Sequence, residues 1–169
     1  MNHPVHIRPV AREEATAIAA LAKRVWQEAY LDIIGQAQID YMLEQRYNTP
    51  RLLEELARPD IWWDQAFVGA KRLGFASVQA TDTPGEFKLD KLYVHPEAQR
   101  QGIGSALLQH TLARVRGKGG KTLILAVNKN NAPAIAAYRK NGFALRESVC
   151  VDIGNGFVMD DFIMARSLA

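Results

Sequence analysis

HPEAQRQGIGSALLQH, residues 95–110, connects an apolar stretch to a helical pattern through a loop that contains Gly102 and Gly104. A loop of this kind leads its backbone N–H groups into the first turn of the helix. Those unpaired donors, together with the positive end of the helix dipole, favour a bound anion such as a phosphate group. A tight turn without a ligand would show the same two glycines, so these residues alone leave both alternatives open.

Two common nucleotide-binding motifs do not fit this loop. A P-loop requires Gly-Lys followed by Ser or Thr, and the pair Gly104-Ser105 lacks the lysine. A Rossmann fingerprint requires a third Gly or Ala three residues after Gly104, where this chain has Leu107. The fingerprint also requires its glycines to follow the strand directly, whereas residues 95–101 intervene here.

The composition indicates an ordinary globular domain with a mild preference for anions. The chain has 169 residues, of which 48% are hydrophobic and 23% are charged. Its formal charge of +3 suits an anionic ligand, but the basic residues are interleaved with 18 acidic ones. Nucleic-acid binding needs a clustered basic surface, so we expect no nucleic-acid partner.

Cysteine and histidine usage excludes further classes of protein. The single Cys150 cannot form an internal disulfide or a cysteine cluster, and the four histidines have no metal-ligand spacing. Residues 1–10 lack the apolar core of a signal peptide, and no stretch approaches 18 apolar residues. We therefore expect a cytoplasmic protein that binds no metal and no membrane.

Hydrophobic periodicity and turn signals predict one domain that covers residues 1–169. Its mixture of helices and strands is typical of an α/β (α+β) fold. Its centre would be a mixed, mainly antiparallel sheet of about seven strands, flanked by helices. The predicted strands are Val5–Val10, Gln65–Ala70, Gly74–Thr81, Phe87–Val94, Lys121–Val127, Ala144–Ile153 and Phe157–Ala165. The predicted helices are Arg12–Tyr30, Gln36–Arg46, Pro50–Ala57, Ile103–Val115 and Asn131–Asn141.

Four local signals refine this outline. Gly35 interrupts the helical pattern, and the turn pair Asn155-Gly156 predicts a hairpin between the last two strands. Leu89 and Leu92 are three residues apart, which breaks strict strand alternation and predicts a bulge. Cys150 has no paired histidine, and we expect it in the core.

Two motifs together resemble the GNAT superfamily of acetyl-CoA-dependent acetyltransferases. Gln99-x-x-Gly102-x-Gly104 matches that family's Q/R-x-x-G-x-G/A loop. VNKNNAPAIAAYRKNGF, residues 127–143, resembles its N-x-x-A-x-x-x-Y-x-x-x-G-F segment, and one helix and one strand separate the two motifs as in the family. Residues 38–56 and 159–168 are more closely similar to the Pai-type bacterial spermidine/spermine N-acetyltransferases.

The resemblance implies acetyl-CoA as the cosubstrate and places its pyrophosphate on the glycine loop. The main chain of the preceding strand would pair with the pantetheine arm, and one N–H there would polarise the thioester carbonyl. The residues expected to contact the cofactor are Leu92, Tyr93, Val94, Gln99, Arg100, Gln101, Gly102, Ile103, Gly104, Ser105, Asn128, Asn131 and Ala134. Asn131 would also cap the helix that it begins.

The resemblance further assigns the acid and lines the acceptor site. Tyr138 matches the motif tyrosine and would donate a proton to the leaving thiolate. Asp90, on the strand beside the thioester, is the carboxylate best placed to act as the base, since Lys88 stands where some relatives carry an acid. Trp26 and Tyr30 lie where the first helix of the family turns over the acceptor.

We therefore expect an N-acetyltransferase that acts on a primary amine, with a polyamine or another small cationic amine as the leading acceptor. Glu28, Asp32 and Asp152 would supply negative charge on the acceptor side. An enzyme that acetylates a protein N-terminus or lysine, and a non-catalytic acyl-CoA sensor, remain alternatives. The resemblance also allows a homodimer.

Overall fold

A seven-stranded sheet forms the centre of the computed structural model, which describes residues 3–169. The strands are β1 (Val5–Pro9), β2 (Ile61–Val68), β3 (Lys71–Ala80), β4 (Glu86–Val94), β5 (Thr122–Asn128), β6 (Ala144–Gly154) and β7 (Phe157–Ser167). Their order across the sheet is β1-β2-β3-β4-β5-β7-β6, and only β4 and β5 are parallel. The predicted mixed, mainly antiparallel sheet is confirmed.

Between residues 3 and 169, five α-helices cover the two faces of this sheet. They are α1 (Ala15–Ala29), α2 (Leu31–Arg46), α3 (Thr49–Leu56), α4 (Ile103–Gly117) and α5 (Ala132–Lys140). The apolar stripes of α1, α2 and α3 bury one core cluster, and those of α4 and α5 bury another on the opposite face. Gly35 has a φ of 78° and interrupts α2, as its position in the sequence predicts. Between His3 and Ala169, no helix combines the length and apolar character needed to cross a bilayer.

The prediction that β2 begins at Gln65 is wrong by four residues, because β2 begins at Ile61. The acidic side chain of Asp64 separates the apolar residues 61–63 from the predicted start of the strand. Asp64 is buried and accepts hydrogen bonds from Arg114, the shortest of them 2.7 Å long, and Gln65 accepts one of 2.7 Å from Arg72. Arg114 neutralises Asp64 and Arg72 satisfies the amide of Gln65, so both polar residues are tolerated inside the strand.

The expectation that Cys150 lies in the core is also wrong. Cys150 is exposed, because β6 is the last strand of the sheet and most of its residues face solvent. An apolar, alternating sequence does not distinguish such an edge strand from an inner strand.

A bulge interrupts the pairing of β4 with β3 at Asp90. Ser77 lies opposite Lys91, and the next residue, Val78, lies opposite Leu89, so Asp90 is the extra residue on β4. The predicted break in alternation therefore falls in this strand. A bulge bends the strand that carries it, which matters for the separation of β4 from β5 described below.

The side chain of Lys91 anchors this bulge to the helical layer. It is 3% exposed, and its Nζ donates to Asp90 Oδ2 at 2.6 Å and to Glu55 Oε2 of α3 at 3.5 Å. The ammonium also lies 5.1 Å from the ring centroid of Trp63. A buried charge of this kind is stable only while its partners stay in place.

We expect Lys91→Met to lower the free energy of unfolding by about 3 kcal/mol, because it removes one partner from a buried ion-pair cluster. Urea denaturation followed by circular dichroism would measure the change. Lys71→Met is the matched control, since Lys71 is exposed at the start of β3, and it should change stability by less than about 0.5 kcal/mol. An equal cost for both variants would contradict an anchoring role for Lys91.

Candidate active site

A gap opens between β4 and β5 in the middle of the sheet. Their parallel pairing joins Glu86–Leu89 to Thr122–Leu125 and ends there. Beyond that point β4 stays paired with β3, and β5 stays paired with β7. We call the gap between residues 92–94 and residues 126–128 the wedge. The edge of β4 that faces the wedge has no neighbouring strand among residues 3–169, so its N–H and C=O groups are available to a ligand.

The glycine loop lies at the end of β4 and begins α4. Gly102 occupies the N-cap position with a φ of 81° and supplies no side-chain cap. Within residues 3–169, the backbone N–H groups of Ile103, Gly104 and Ser105 have no hydrogen-bond acceptor. These free donors and the helix dipole make the start of α4 suitable for an anion.

The glycines keep this surface unobstructed. A Cβ built on Gly102 would meet no atom within 4 Å, so the space beside the loop is free for a ligand. A Cβ on Gly104 would lie 3.5 Å from Cγ2 of Val94, the last residue of β4. The loop and the wedge are therefore adjacent, and an extended ligand could contact both.

Helix α5 carries the second motif along one side of the wedge. Asn131 caps α5 by accepting a 3.4 Å hydrogen bond from Ala134 N, and its own N–H donates to Asn128 O at 3.0 Å. Asn128 Oδ1 accepts from the Asn130 N–H at 2.8 Å, which leaves its amide NH₂ free to donate. Ala134 and Tyr138 pack on the same core cluster as Leu92 and Val94, a cluster that also contains Val127 of β5.

Tyr138 is half-buried against the ring of Phe143, with ring centroids 5.7 Å apart. Burial raises the pKa of the Tyr138 hydroxyl, and the nearby Tyr30 adds to the effect. The phenol therefore keeps its proton at neutral pH and can act as a donor.

The opposite face of the wedge carries an aromatic cluster. Trp26 is 5% exposed and packs on Tyr30 and Tyr93 with centroid distances of 4.4 and 6.0 Å. Tyr30 is half-buried, and burial raises the pKa of its hydroxyl. Tyr30 is thus the better placed of the two residues predicted to line the acceptor site, whereas Trp26 supports it from within the core.

The structure disfavours Asp90 as the base. Its carboxylate lies 2.6 Å from Lys91 Nζ, 3.8 Å from Lys88 Nζ and 3.9 Å from an Nη atom of Arg46. Burial raises the pKa of Asp90, but these three cations lower it more, and the net pKa is below the ordinary value. A carboxylate held this way is a weak base that is already fully engaged.

Sequence reasoning missed a second carboxylate beside the wedge. Asp161 of β7 is 5% exposed and lies directly opposite Asn128, the last residue of β5. Glu28, Asp32 and Asp152, the acids expected on the acceptor side, are exposed to solvent. An acidic residue before the apolar Phe162-Ile163-Met164 is the available signal, but its importance depends on strand register, which the sequence does not show.

Helix α2 is tied to the β6–β7 hairpin on the face that carries Asp161. Tyr41 Oη donates to Ile153 O at 2.6 Å, and Gln38 Nε2 donates to Val158 O at 2.8 Å. The rings of Tyr41 and Phe157 are 5.3 Å apart. These contacts, which we call the α2–hairpin bridge, join α2 to the hairpin on the acceptor side of the site.

Comparisons with known proteins agree with this geometry. The spermidine N(1)-acetyltransferase of Thermoplasma acidophilum is 26% identical over 160 residues, which cover 92% of this chain and 96% of that protein. The [ribosomal protein bS18]-alanine N-acetyltransferase of Escherichia coli K12 is 45% identical over only 58 residues, 34% of this chain and 39% of that protein. The crystal structure of the PaiA N-acetyltransferase from T. acidophilum, in complex with coenzyme A, has a TM-score of 0.85 at 26% identity and covers 97% of this chain and 99% of that one.

A model of the acetyltransferase (GNAT) family matches residues 16–143. That range includes all of α1 but its first residue, and it includes the bulged strand β4, the glycine loop, β5 and α5. It therefore contains both sides of the wedge and the loop that leads into it. Because the match covers well over half of the chain and the structure has the corresponding architecture, the chain belongs to the GNAT family of acetyltransferases.

Proposed function

We propose that this protein transfers the acetyl group of acetyl-CoA to a primary amine. The observation that carries the proposal is the wedge, whose free strand edge is continuous with the free N–H groups at the start of α4. Coenzyme A is an extended molecule with an amide-rich arm and a pyrophosphate. Its arm can pair with the edge of β4, and its pyrophosphate can bind at the glycine loop. The coenzyme A in the Thermoplasma structure supports this assignment.

The chemistry follows from the groups beside the wedge. A backbone N–H of residues 92–94 that is not used by β3 can stabilise the negative charge on the carbonyl oxygen when the amine attacks the thioester. Tyr138 then donates its proton to the departing sulfur, whose thiol has an ordinary pKa near ~8.5. A protonated phenol is the form that this step needs, and the raised pKa of Tyr138 maintains it.

Several observations favour a small cationic acceptor such as a polyamine. The α2–hairpin bridge restricts access on the acceptor face, and Asp161 places a buried negative charge there. The Thermoplasma relative matched over nearly its whole length is a spermidine acetyltransferase. A compact ammonium fits such a covered, acidic site better than an extended peptide does.

Two other functions have less support. The relative that acetylates a ribosomal-protein alanine matches only a third of the chain, and the bridge would have to open to admit a peptide N-terminus. A non-catalytic acyl-CoA sensor would not need the half-buried Tyr138 on α5 beside the wedge.

The pyrophosphate site can be tested without disturbing the helix that forms it. Ser105 is exposed in the first turn of α4, where a carboxylate stabilises the helix dipole but repels an anion. We expect Ser105→Asp to weaken coenzyme A binding by at least tenfold in calorimetry while the melting temperature stays equal or rises. Ser105→Asn, the uncharged control of equal size, should bind nearly as well as the wild type. Unchanged affinity in the Asp variant would place the pyrophosphate elsewhere.

Loss of the Tyr138 hydroxyl should affect turnover and leave cofactor binding intact. We expect Tyr138→Phe to lower kcat by roughly 100-fold, the low end for loss of a general acid. Coenzyme A affinity should change little, because the ring and its packing on Phe143 remain. Single-turnover measurements would remove any masking by slow product release, and a wild-type rate in them would make Tyr138 a packing residue only.

An acceptor panel decides between the remaining functions. Purified protein would be assayed with spermidine, a diamine, a free amino acid and a peptide with an N-terminal alanine, by release of free thiol. We expect the highest kcat/KM for spermidine, and a larger loss of its apparent affinity with added salt than for a monoamine, because more charge is screened. A higher kcat/KM for the peptide would instead favour protein acetylation.

A further inference from the structure

Asp161 lies where the amine must approach if the proposed function is correct. Val127 and Phe162 form a cross-strand pair whose side chains face the α4–α5 core cluster. The next pair, Asn128 and Asp161, projects from the opposite face because side chains alternate along a strand. That face is the one covered by α1 and α2, where Met159 packs two residues before Asp161. The carboxylate is therefore at the open end of the wedge, on its acceptor side.

The carboxylate of Asp161 is buried but not neutralised. Among residues 3–169 it has no ion-pair partner, whereas the adjacent Asp160 pairs with Lys129. Lys88 of β4, Arg46 of α2 and Lys129 after β5 are close enough to act on it through space but do not contact it. Tyr30, the residue that follows α1, is the further titratable group that faces it. Burial prevails over these cations, and with the added effect of Asp160 it raises the pKa of Asp161.

Asp90 and Asp161 are thus two acids in one site with opposite surroundings. Lys88 and Arg46 influence both of them, so the two carboxylates belong to the same charged environment. Asp90 is held in direct contact by Lys91. Of the two acids, only Asp161 has no ion-pair partner among residues 3–169. Its carboxylate oxygens can therefore accept hydrogen bonds from an incoming ammonium. When the surroundings shift the pKa values of two acids in opposite directions, the acid with fewer direct partners is the candidate for proton transfer.

We propose that Asp161 is a catalytic residue that binds the acceptor ammonium and removes its proton before attack, while Asp90 is a positioning residue for the bulge. This inference rests on the proposed function and goes beyond it by assigning the base and the ammonium site to a residue of β7.

The proton balance is complete with groups already described. The acceptor arrives as an ammonium, and one N–H proton passes to the Asp161 carboxylate. The freed lone pair of nitrogen forms the new C–N bond to the thioester carbon. The C–S bond then breaks, and the sulfur takes the proton of Tyr138. A second proton leaves the nitrogen and restores Tyr138, and Asp161 releases its proton to solvent after the product departs.

Stability supplies the first measurement. The pKa of Asp161 is higher in the folded than in the unfolded chain, so ionised Asp161 costs stability above the folded pKa and the cost vanishes at acid pH. Asp161→Asn, which has nearly the same shape, should therefore melt at a higher temperature than the wild type at pH 7 and show no gain at pH 3. Asp90→Asn should do the reverse and melt at a lower temperature at pH 7, since its ion pairs are lost.

Activity supplies the second measurement. At pH 7, Asp161→Asn should lower kcat/KM for spermidine by roughly 100-fold, as expected for loss of a general base, with coenzyme A affinity unchanged. The defect should shrink to a few-fold at pH 10, where a large fraction of primary amine with a pKa near ~10.4 is already neutral. It should also be small at pH 7 with trifluoroethylamine, which is uncharged at that pH. Asp82→Asn, the matched control at an exposed aspartate in the turn before β4, should behave as the wild type.

The outcomes separate the proposed function from the role of Asp161. A wild-type protein that acetylates no amine in the panel overturns the proposed function and this inference with it. An active wild type with an Asp161→Asn defect that is the same at both pH values and for both amines overturns the inference alone. The inference is also overturned, with the proposed function intact, if Asp90→Asn rather than Asp161→Asn shows the pH-dependent defect.

Discussion

The buried contact between Lys91 and the bulge at Asp90 is the constraint on which the rest of the site depends. A bulge adds one residue to β4 and turns the strand, so that pairing with β5 ends after Leu89. If β4 continued in register, the backbone N–H and C=O groups along its edge would be hydrogen-bonded to β5. No N–H would then remain to bind a thioester carbonyl. The ion-pair cluster that joins β4 to α3 therefore supports the bulge that leaves the middle of the sheet available to a ligand.

The two acids of the site show how stability and chemistry are divided. Three cations, Lys91, Lys88 and Arg46, surround the carboxylate of Asp90 and favour its negative charge. The ionised side chain therefore stabilises the fold. Asp161 is buried without a direct partner, so the folded chain would be more stable with a neutral group at that position. Buried acids whose surroundings shift their pKa values are found preferentially at functional sites. The contrast between neighbouring carboxylates is more informative about function than the presence of either one.

Features encoded by adjacent residues could be predicted from the sequence, and features encoded by strand register could not. Gly102, Gly104 and the spacing of Tyr138 indicate the loop and the second motif because helix starts and caps are local. The position of Asp90 along the chain makes it a candidate base, and only the burial of Lys91 shows that its carboxylate is occupied. Asp161 gains importance from its place opposite Asn128, which follows from the crossing of β7 between β5 and β6.

The edge strand β6 has a consequence for self-association. Its residues are mostly exposed, and its outer side presents backbone groups that could template another strand. Two register irregularities, between Leu145 and Glu147 and between Asp152 and Gly154, interrupt that ladder. They confine regular pairing to residues 147–152, so an incoming strand would lose hydrogen bonds at both ends. The two irregularities therefore bend the exposed edge of β6 and disfavour its pairing with another strand along its whole length.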